Sequence, residues 1–258
     1  MIGDEKSKYG LYKLHCINCK ILIFSKEKRA LCSRCFTEVN DSDSVPYNPP
    51  FTKLKPKCLL VTLSFGSFDP KTYTNSEILH VGLSNSAGTY VYNFWNQYRA
   101  DNVKDTTIWK SVINIDLKIE LSDKEWDEFL EKSLTAQRNS DPKYHQIDNN
   151  CYDYICRAFN ELKYKNIIWN KQNLAAEYIE GPIIELERFC KVYKIVDKEG
   201  ESVQEENYNT RQVTLALCDI CSEYILNDQR LKCTVCQDFD MCLTCYKSKG
   251  HEHKMIEK

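Results

Sequence analysis

Few features of this sequence point towards a membrane or a nucleic acid. No stretch approaches the roughly 18 apolar residues of a membrane span, and the first residues do not show the basic and then apolar pattern of a secretion signal. The formal net charge of the 258 residues is only -2, so no overall basic field attracts nucleic acid or an anionic surface. We therefore expect a cytoplasmic or nuclear protein that does not span a membrane.

Cysteine, by contrast, is abundant. The chain has 14 cysteines, and ten of them fall in C-x-x-C pairs, which leaves Cys58, Cys151, Cys156 and Cys190. In a chain of this length without a secretion signal, paired cysteines are more typical of metal sites than of disulfides. Metal binding is therefore the first chemistry that the sequence predicts.

Two cysteine pairs lie in the first segment, residues 1–39. They are Cys16 and Cys19, then Cys32 and Cys35. Two tight turns that each present two thiolates predict a zinc ribbon holding one Zn²⁺ in a tetrahedral site. The arm between the pairs is locally basic, but such a run usually forms a solvated face, and we do not expect nucleic-acid binding.

The C-terminal segment carries eight regularly spaced candidate ligands. In chain order they are Cys218 and Cys221, Cys233 and Cys236, Cys242 and Cys245, then His251 and His253. Eight such ligands predict two tetrahedral zinc sites. A segment this short has too few large apolar residues to fold without metal. The spacing leaves two pairings open, a sequential one and a cross-brace.

The segments C-D-I-C, C-T-V-C-Q-D-F-D-M-C-L-T-C and H-E-H resemble the ZZ-type zinc finger over residues 213–258. The resemblance implies a cross-brace: one ion is shared by Cys218, Cys221, Cys242 and Cys245, and the other by Cys233, Cys236, His251 and His253. It also implies an interaction module for a protein or peptide partner. Several such fingers bind a free protein N-terminus through acidic residues, which match Asp219, Asp238 and Asp240 here. Alternatively, Asp238 and Asp240 brace the knuckle by accepting backbone N–H groups.

The region between the cysteine-rich ends is predicted to be an α+β domain over residues 57–196. A Pro-rich linker, 40–56, precedes it, and a charged linker, 197–212, follows it. Turn residues separate β-branched and aromatic runs, which predict an antiparallel sheet with strands at 57–65, 78–83, 89–95 and 111–117. Capping and periodicity predict three packed helices: 122–139, one beginning after Asn150, and one from Pro182 to about 193.

Three residues of this domain form a candidate thiol site. His80 lies in a predicted strand, Asn93 in the next strand, and Cys151 at a helix start. A helix N-terminus lowers a thiol pKa, an imidazole takes the proton and a third group orients the ring, as acyl transfer requires. Alternatively, Cys151 and His80 are packing residues. His145 is a rival base.

The stretches H-V-G-L (80–83) and N-C-Y-D-Y (150–154) resemble the circularly permuted papain-like folds of lecithin:retinol acyltransferase relatives and the PPPDE group. Residues 14 to about 195 also resemble the makorin-2 opposite-strand family, which implies a fold outline but no reaction. We therefore carry two hypotheses. The preferred one is a zinc-binding adaptor with a catalytically silent papain-like scaffold. The alternative is a cysteine hydrolase or acyltransferase that acts on a ubiquitin-like or acyl substrate through Cys151 and His80.

Overall fold

The computed structural model describes residues 9–39, 44–95, 106–139, 143–145, 147–205, 216–221, 224–225, 230–236 and 239–257. The chain divides into two compact units. The first comprises residues 1–50, 69–74 and 184–212, and the second comprises 51–68, 75–183 and 213–258. Both α-helices and β-strands occur, in agreement with the predicted α+β class.

The strands and helices follow one another in this order. The first ten strands are β1 (Tyr12–Cys16), β2 (Ile21–Ser25), β3 (Ala30–Leu31), β4 (Glu38–Val39), β5 (Ser44–Pro46), β6 (Phe51–Thr52), β7 (Cys58–Leu63), β8 (Leu79–Ser84), β9 (Val91–Tyr92) and β10 (Val112–Asp116). The first four helices are α1 (Asp123–Asn139), α2 (Cys151–Glu161), α3 (Lys171–Leu174) and α4 (Glu180–Glu199). The remaining elements are β11 (Glu201–Glu205), β12 (Ala216–Leu217), β13 (Tyr224–Ile225), β14 (Arg230–Cys233), β15 (Asp240–Cys242), α5 (Leu243–Lys249) and β16 (Met255–Glu257).

The first unit is built on a four-stranded sheet in the order β11-β2-β1-β5. The β1–β2 hairpin pairs Cys16 with Ile21, so the first cysteine knuckle forms the turn between these strands. Leu14, Ile21, Ile23 and Phe24 of this hairpin are fully buried. The ring of Phe24 packs 4.8 Å from that of Tyr47, which packs 5.2 Å from Phe189 of α4. The predicted zinc ribbon is therefore part of a larger sheet.

The second unit contains a five-stranded sheet in the order β6-β10-β7-β8-β9. The four pairings between these strands are all antiparallel, as the sequence predicts. All six residues of β7 are buried, and the β7–β8 register places Thr62 opposite His80. Strand β9 covers only Val91–Tyr92 of the predicted 89–95, because Asn85 holds the preceding turn by accepting the N–H groups of Thr89 and Tyr90.

Helices α1 and α2 begin where local capping chemistry predicts. The Ser122 hydroxyl accepts the Glu125 N–H at 3.3 Å, and the Glu125 carboxylate accepts the Ser122 N–H at 2.9 Å. Asn150 forms the equivalent box with Asp153 at the start of α2. Trp126 is fully buried on α1 and donates its indole N–H to the Ser84 carbonyl at 2.9 Å, which fixes α1 against β8.

The two predicted linkers are only partly linkers. Ser44–Pro46 forms β5 and Phe51–Thr52 forms β6, both within the predicted 40–56 linker. Strand β5 lies at a sheet edge, where proline can replace a residue whose N–H would face solvent. In the predicted 197–212 linker, Glu201–Glu205 forms β11 and pairs with β2, because a charged strand is tolerated at the opposite edge.

The predicted third helix is longer than expected. Helix α4 runs over Glu180–Glu199 and continues a helical path from α3 through a π-helical turn, Ala175–Ile179. Pro182 is the third residue of α4, but because the helical path begins at Lys171 it does not lie at a free helix end as predicted, and its missing N–H removes one helical hydrogen bond. Gly181 and Pro182 favour a helix start when read locally, which explains why the sequence did not reveal the continuous path.

Candidate metal centres and the buried thiol

The four N-terminal cysteines come together at one end of the β1–β2 hairpin. Their sulfur atoms all lie within 4.8 Å of one another, and the sulfurs of Cys16 and Cys35 are 3.6 Å apart. A tetrahedral zinc ion with Zn–S bonds of about 2.3 Å places its sulfurs roughly 3.8 Å apart. The arrangement fits Zn²⁺ binding.

Electrostatics in this cluster also favour a cation. Hydrogen bonds from the Thr37 hydroxyl and backbone lower the pKa of Cys35 to about 6. The hydrogen bond that Cys19 shares with Cys35, together with burial, raises the pKa of Cys19 to about 12. Four thiolates therefore cannot form side by side without a positive charge between them, which a bound metal ion supplies.

The C-terminal ligands form two interleaved groups. Cys218, Cys221, Cys242 and Cys245 form one, and Cys233, Cys236, His251 and His253 form the other. The sulfurs of Cys221 and Cys242 are 3.9 Å apart, close to a tetrahedral edge. The grouping is the cross-brace, and sequential pairing is wrong. Both groups fit Zn²⁺ binding.

The group of two cysteines and two histidines, here called the mixed group, is oriented by its surroundings. The Cys233 sulfur lies 3.2 Å from His251 Nε2, and the Cys236 sulfur lies 3.2 Å from His253 Nδ1. The His251 ring stacks on Phe239 with centroids 4.4 Å apart, which fixes its plane. Burial raises the pKa of Cys233, but N–H groups of Cys236 and Val235 outweigh it and lower the pKa to about 6. This thiol ionises readily and is suited to bind metal.

The acidic residues beside the first C-terminal group serve different roles. Asp240 is only 5 % exposed, and its carboxylate accepts two hydrogen bonds of 2.8 Å from Arg230. Asp219 is exposed, and one of its carboxylate oxygens accepts the Asp240 N–H at 2.6 Å. Asp240 therefore braces the finger through the Arg230 side chain, where the bracing prediction had backbone N–H groups, and the carboxylate that accepts a backbone N–H is the solvent-accessible Asp219. Asp238 lies outside the described residues.

The three candidate thiol-site residues lie around strand β8, which contains His80, whereas Asn93 directly follows the neighbouring strand β9. His80 Nε2 lies 3.0 Å from Asn93 Oδ1. Cys151 begins α2 and its sulfur is hydrogen-bonded by the backbone N–H of Val81, the neighbour of His80. Gly82 on the same strand allows Val91 and Trp109 to pack closely against the backbone, since a Cβ on it would lie 2.8 Å from Val91 and 2.9 Å from Trp109.

Aromatic rings and buried surface surround these side chains. His80 packs against Trp95 and Trp109, with ring centroids 3.7 and 5.7 Å away. Cys151 is only 4 % exposed, and burial raises the pKa of its thiol to about 12, although the N–H groups of Val81 and Tyr152 oppose the shift. His145 pairs instead with Asp148 at 3.2 Å on the surface.

We expect iodoacetamide to label Cys151 roughly a thousandfold more slowly than a free cysteine at about pH 7.5, because the thiolate fraction is lower by about three powers of ten. The rate should rise about tenfold per pH unit up to the raised pKa. Labelling is quantified by peptide mass spectrometry, with Cys151→Ser as the blank. Labelling at the rate of free cysteine, slowed by His80→Ala, would contradict this expectation and support an activated nucleophile.

Several residues at these sites were not found from the sequence. These residues are Arg230, which binds Asp240, Phe239, which stacks on His251, and Thr37, which is hydrogen-bonded to Cys35. Arg230 and Asp240 have opposite charges, but their contact depends on the register of two paired strands, which the sequence does not show. The role of Thr37 depends on the closing of the second knuckle, which spacing does not show.

Comparison with known proteins identifies two regions. Residues 214–255 match the zinc finger, ZZ type. Mouse and human proteins described as E3 ubiquitin-protein ligase HERC2 are each 50 % identical over 34 residues, which cover 13 % of this chain and 1 % of those proteins. The chain thus spans about one hundredth of the length of these relatives. No solved structure matches significantly.

None of the helices among the described residues is long and apolar enough to cross a membrane.

Residues 44–196 match the family described as DUF4796 C-terminal. Because this match covers more than half of the sequence, the chain belongs to the DUF4796 family, and it carries a ZZ-type zinc finger after the family domain.

Proposed function

We propose that this chain is a zinc-dependent interaction protein in which the ZZ finger recognises a protein partner and the central domain acts as a catalytically silent scaffold. The cross-braced ligand groups carry the proposal. Each ion has four protein ligands, so neither site leaves a position open for substrate, as is typical of structural zinc. Zinc held by thiolates requires reduced cysteines, which suits the cytoplasm or nucleus.

For the scaffold we propose a permuted papain-like fold. An antiparallel sheet carries the His80–Asn93 pair, and Cys151 at the start of α2 contacts the same strand, which supports that arrangement. The raised thiol pKa and the burial of Cys151 support a silent role. The fold would then position the partner-binding modules without forming a thioester.

We further propose that the partner presents a free N-terminal amine to Asp219. The Asp240 carboxylate is already neutralised by Arg230, so an incoming ammonium group would compete with a two-pronged ion pair. Asp219 is exposed and still has a second oxygen outside its bond to the Asp240 N–H. An ammonium group has three donors and binds well to such a carboxylate.

The test is calorimetric titration of Asp219→Asn with a short peptide that has a free N-terminus. The asparagine amide oxygen can still accept the Asp240 N–H, so the variant removes charge and keeps the brace. We expect affinity to fall about tenfold, or about 1.4 kcal/mol. Glu252→Gln, which removes another exposed carboxylate of the finger, is the matched control. Equal affinity of both variants, or equal binding of the acetylated peptide, would exclude amine recognition at Asp219.

The second candidate is a thiol hydrolase or acyltransferase that uses Cys151, His80 and Asn93 on a ubiquitin-like or acyl substrate. The 3.0 Å His80–Asn93 contact favours it, because an oriented imidazole is one requirement of such catalysis. The other requirement is a thiol that ionises at neutral pH, and burial opposes it by raising the pKa of Cys151 to about 12. The labelling experiment on Cys151 separates the two candidates.

A further inference from the structure

Three large apolar side chains next to the N-terminal cysteine cluster are exposed. Ile17 is 68 % exposed, Leu31 is 57 % exposed and Phe36 is 73 % exposed. Ile17 lies inside the first knuckle, Leu31 directly precedes Cys32, and Phe36 directly follows Cys35. The Asn18 side chain donates to the Thr37 hydroxyl at 3.2 Å and so holds the two knuckles together. The three side chains therefore flank one small site.

Phe36 is unusual in conformation as well as in exposure. Its φ angle is 55°, in the left-handed region that favours glycine, and its N–H donates to the Cys32 carbonyl at 2.8 Å to close the knuckle. Lys20 occupies the equivalent place after Cys19 with a φ angle of 53°, but its side chain is polar. The knuckle therefore requires the left-handed backbone at this position, as Lys20 shows, but it does not require an exposed aromatic ring.

The charge around this site is positive. The described residues 9–39 carry six basic and two acidic side chains, whereas the whole chain has a net charge of -2. A zinc ion with four thiolates contributes about -2, which leaves the segment positive. Lys20 lies exposed directly after the first knuckle and Arg34 lies exposed inside the second. We name Ile17, Lys20, Leu31, Arg34 and Phe36 the ribbon tip.

We propose that the ribbon tip is a second docking surface, separate from the ZZ finger, and that it binds an acidic protein segment carrying an apolar anchor side chain. Exposed apolar groups surrounded by positive charge are complementary to such a segment. Two of the three apolar side chains are aliphatic and cannot stack on bases, which favours protein over single-stranded nucleic acid.

The test uses the full chain loaded with zinc and a fluorescent, N-acetylated peptide of glutamate and aspartate with two central leucines. Acetylation prevents amine recognition by the ZZ finger, so this experiment can fail while the proposed function stands. The key variant is Phe36→Gly, because glycine keeps the left-handed turn and removes only the ring. Val235→Ser removes an exposed apolar side chain from a knuckle of the ZZ finger and is the matched control.

We expect measurable binding by fluorescence anisotropy, at least a tenfold loss for Phe36→Gly, and no loss for Val235→Ser. Leu31→Ser should weaken binding in the same direction, and a peptide with serines in place of the leucines should bind at least tenfold more weakly. Binding unchanged by Phe36→Gly would overturn the proposal. No binding of the peptide, or tighter binding of a single-stranded DNA of equal charge, would overturn it as well.

Discussion

Replacing Cys236 with serine is expected to release one zinc ion and unfold the second half of the ZZ finger. Cys236 lies between both histidines of the mixed group, 3.6 Å from His251 Nε2 and 3.2 Å from His253 Nδ1. Structural zinc contributes about 10–16 kcal/mol to the folding of small zinc modules. The buried core that remains around the finger is small, with Ile225 and Met241 its main apolar members besides cysteine. It cannot replace that contribution.

Elemental analysis of purified protein checks the loss of zinc, and hydrogen exchange over residues 230–257 checks the unfolding. Cys190→Ser is the matched control, because Cys190 is also a buried cysteine but belongs to none of the three ligand groups. We expect the control to retain the zinc content of the unaltered chain. Full zinc content and unchanged protection in Cys236→Ser would show that the mixed group is not a metal site.

Replacing Trp126 with alanine is expected to destabilise the central domain by about 3–5 kcal/mol, the usual cost of removing a large buried aromatic side chain. Trp126 is fully buried, packs on Phe129, and bonds the Ser84 carbonyl at the end of β8. The substitution leaves a cavity and an unsatisfied carbonyl. Because domains are stable by only about 5–15 kcal/mol, a large part of the stability would be lost.

Urea unfolding at a fixed zinc concentration measures this loss. Lys124→Ala on the same helix is the control, since Lys124 is exposed and its ammonium group forms a 3.7 Å ion pair with Glu128 at the surface. Such a surface pair contributes little, so we expect a change within about 0.5 kcal/mol. Similar unfolding midpoints for the two variants would contradict the packing of α1 against the sheet.

Features that depend on nearby residues could be predicted from the sequence. The capping boxes at Ser122 and Asn150 involve residues three apart, and both are present. The ligand residues could also be predicted, because regular C-x-x-C spacing is typical of metal ligands. The cross-brace itself needed the ZZ resemblance, since spacing allows both pairings.

Features that depend on distant residues could not be predicted. Strand β11 pairs with β2 although most of the chain lies between them in sequence. Its charged residues are typical of a linker, and only its position at the edge of a sheet explains why they form a strand. The Arg230–Asp240 ion pair likewise depends on the register of β14 and β15. The burial that raises the pKa of Cys151 arises from packing of α2 on the sheet, whereas the sequence shows only the helix N-terminus, which acts in the opposite direction.

The zinc content and ligand set of the unaltered protein test the central claim most directly. Elemental analysis should give three zinc ions per chain, and X-ray absorption at the zinc edge should match a total of ten sulfur and two nitrogen ligands shared among the three ions. A folded protein with two or fewer ions, or with oxygen ligands in place of sulfur, would contradict the account.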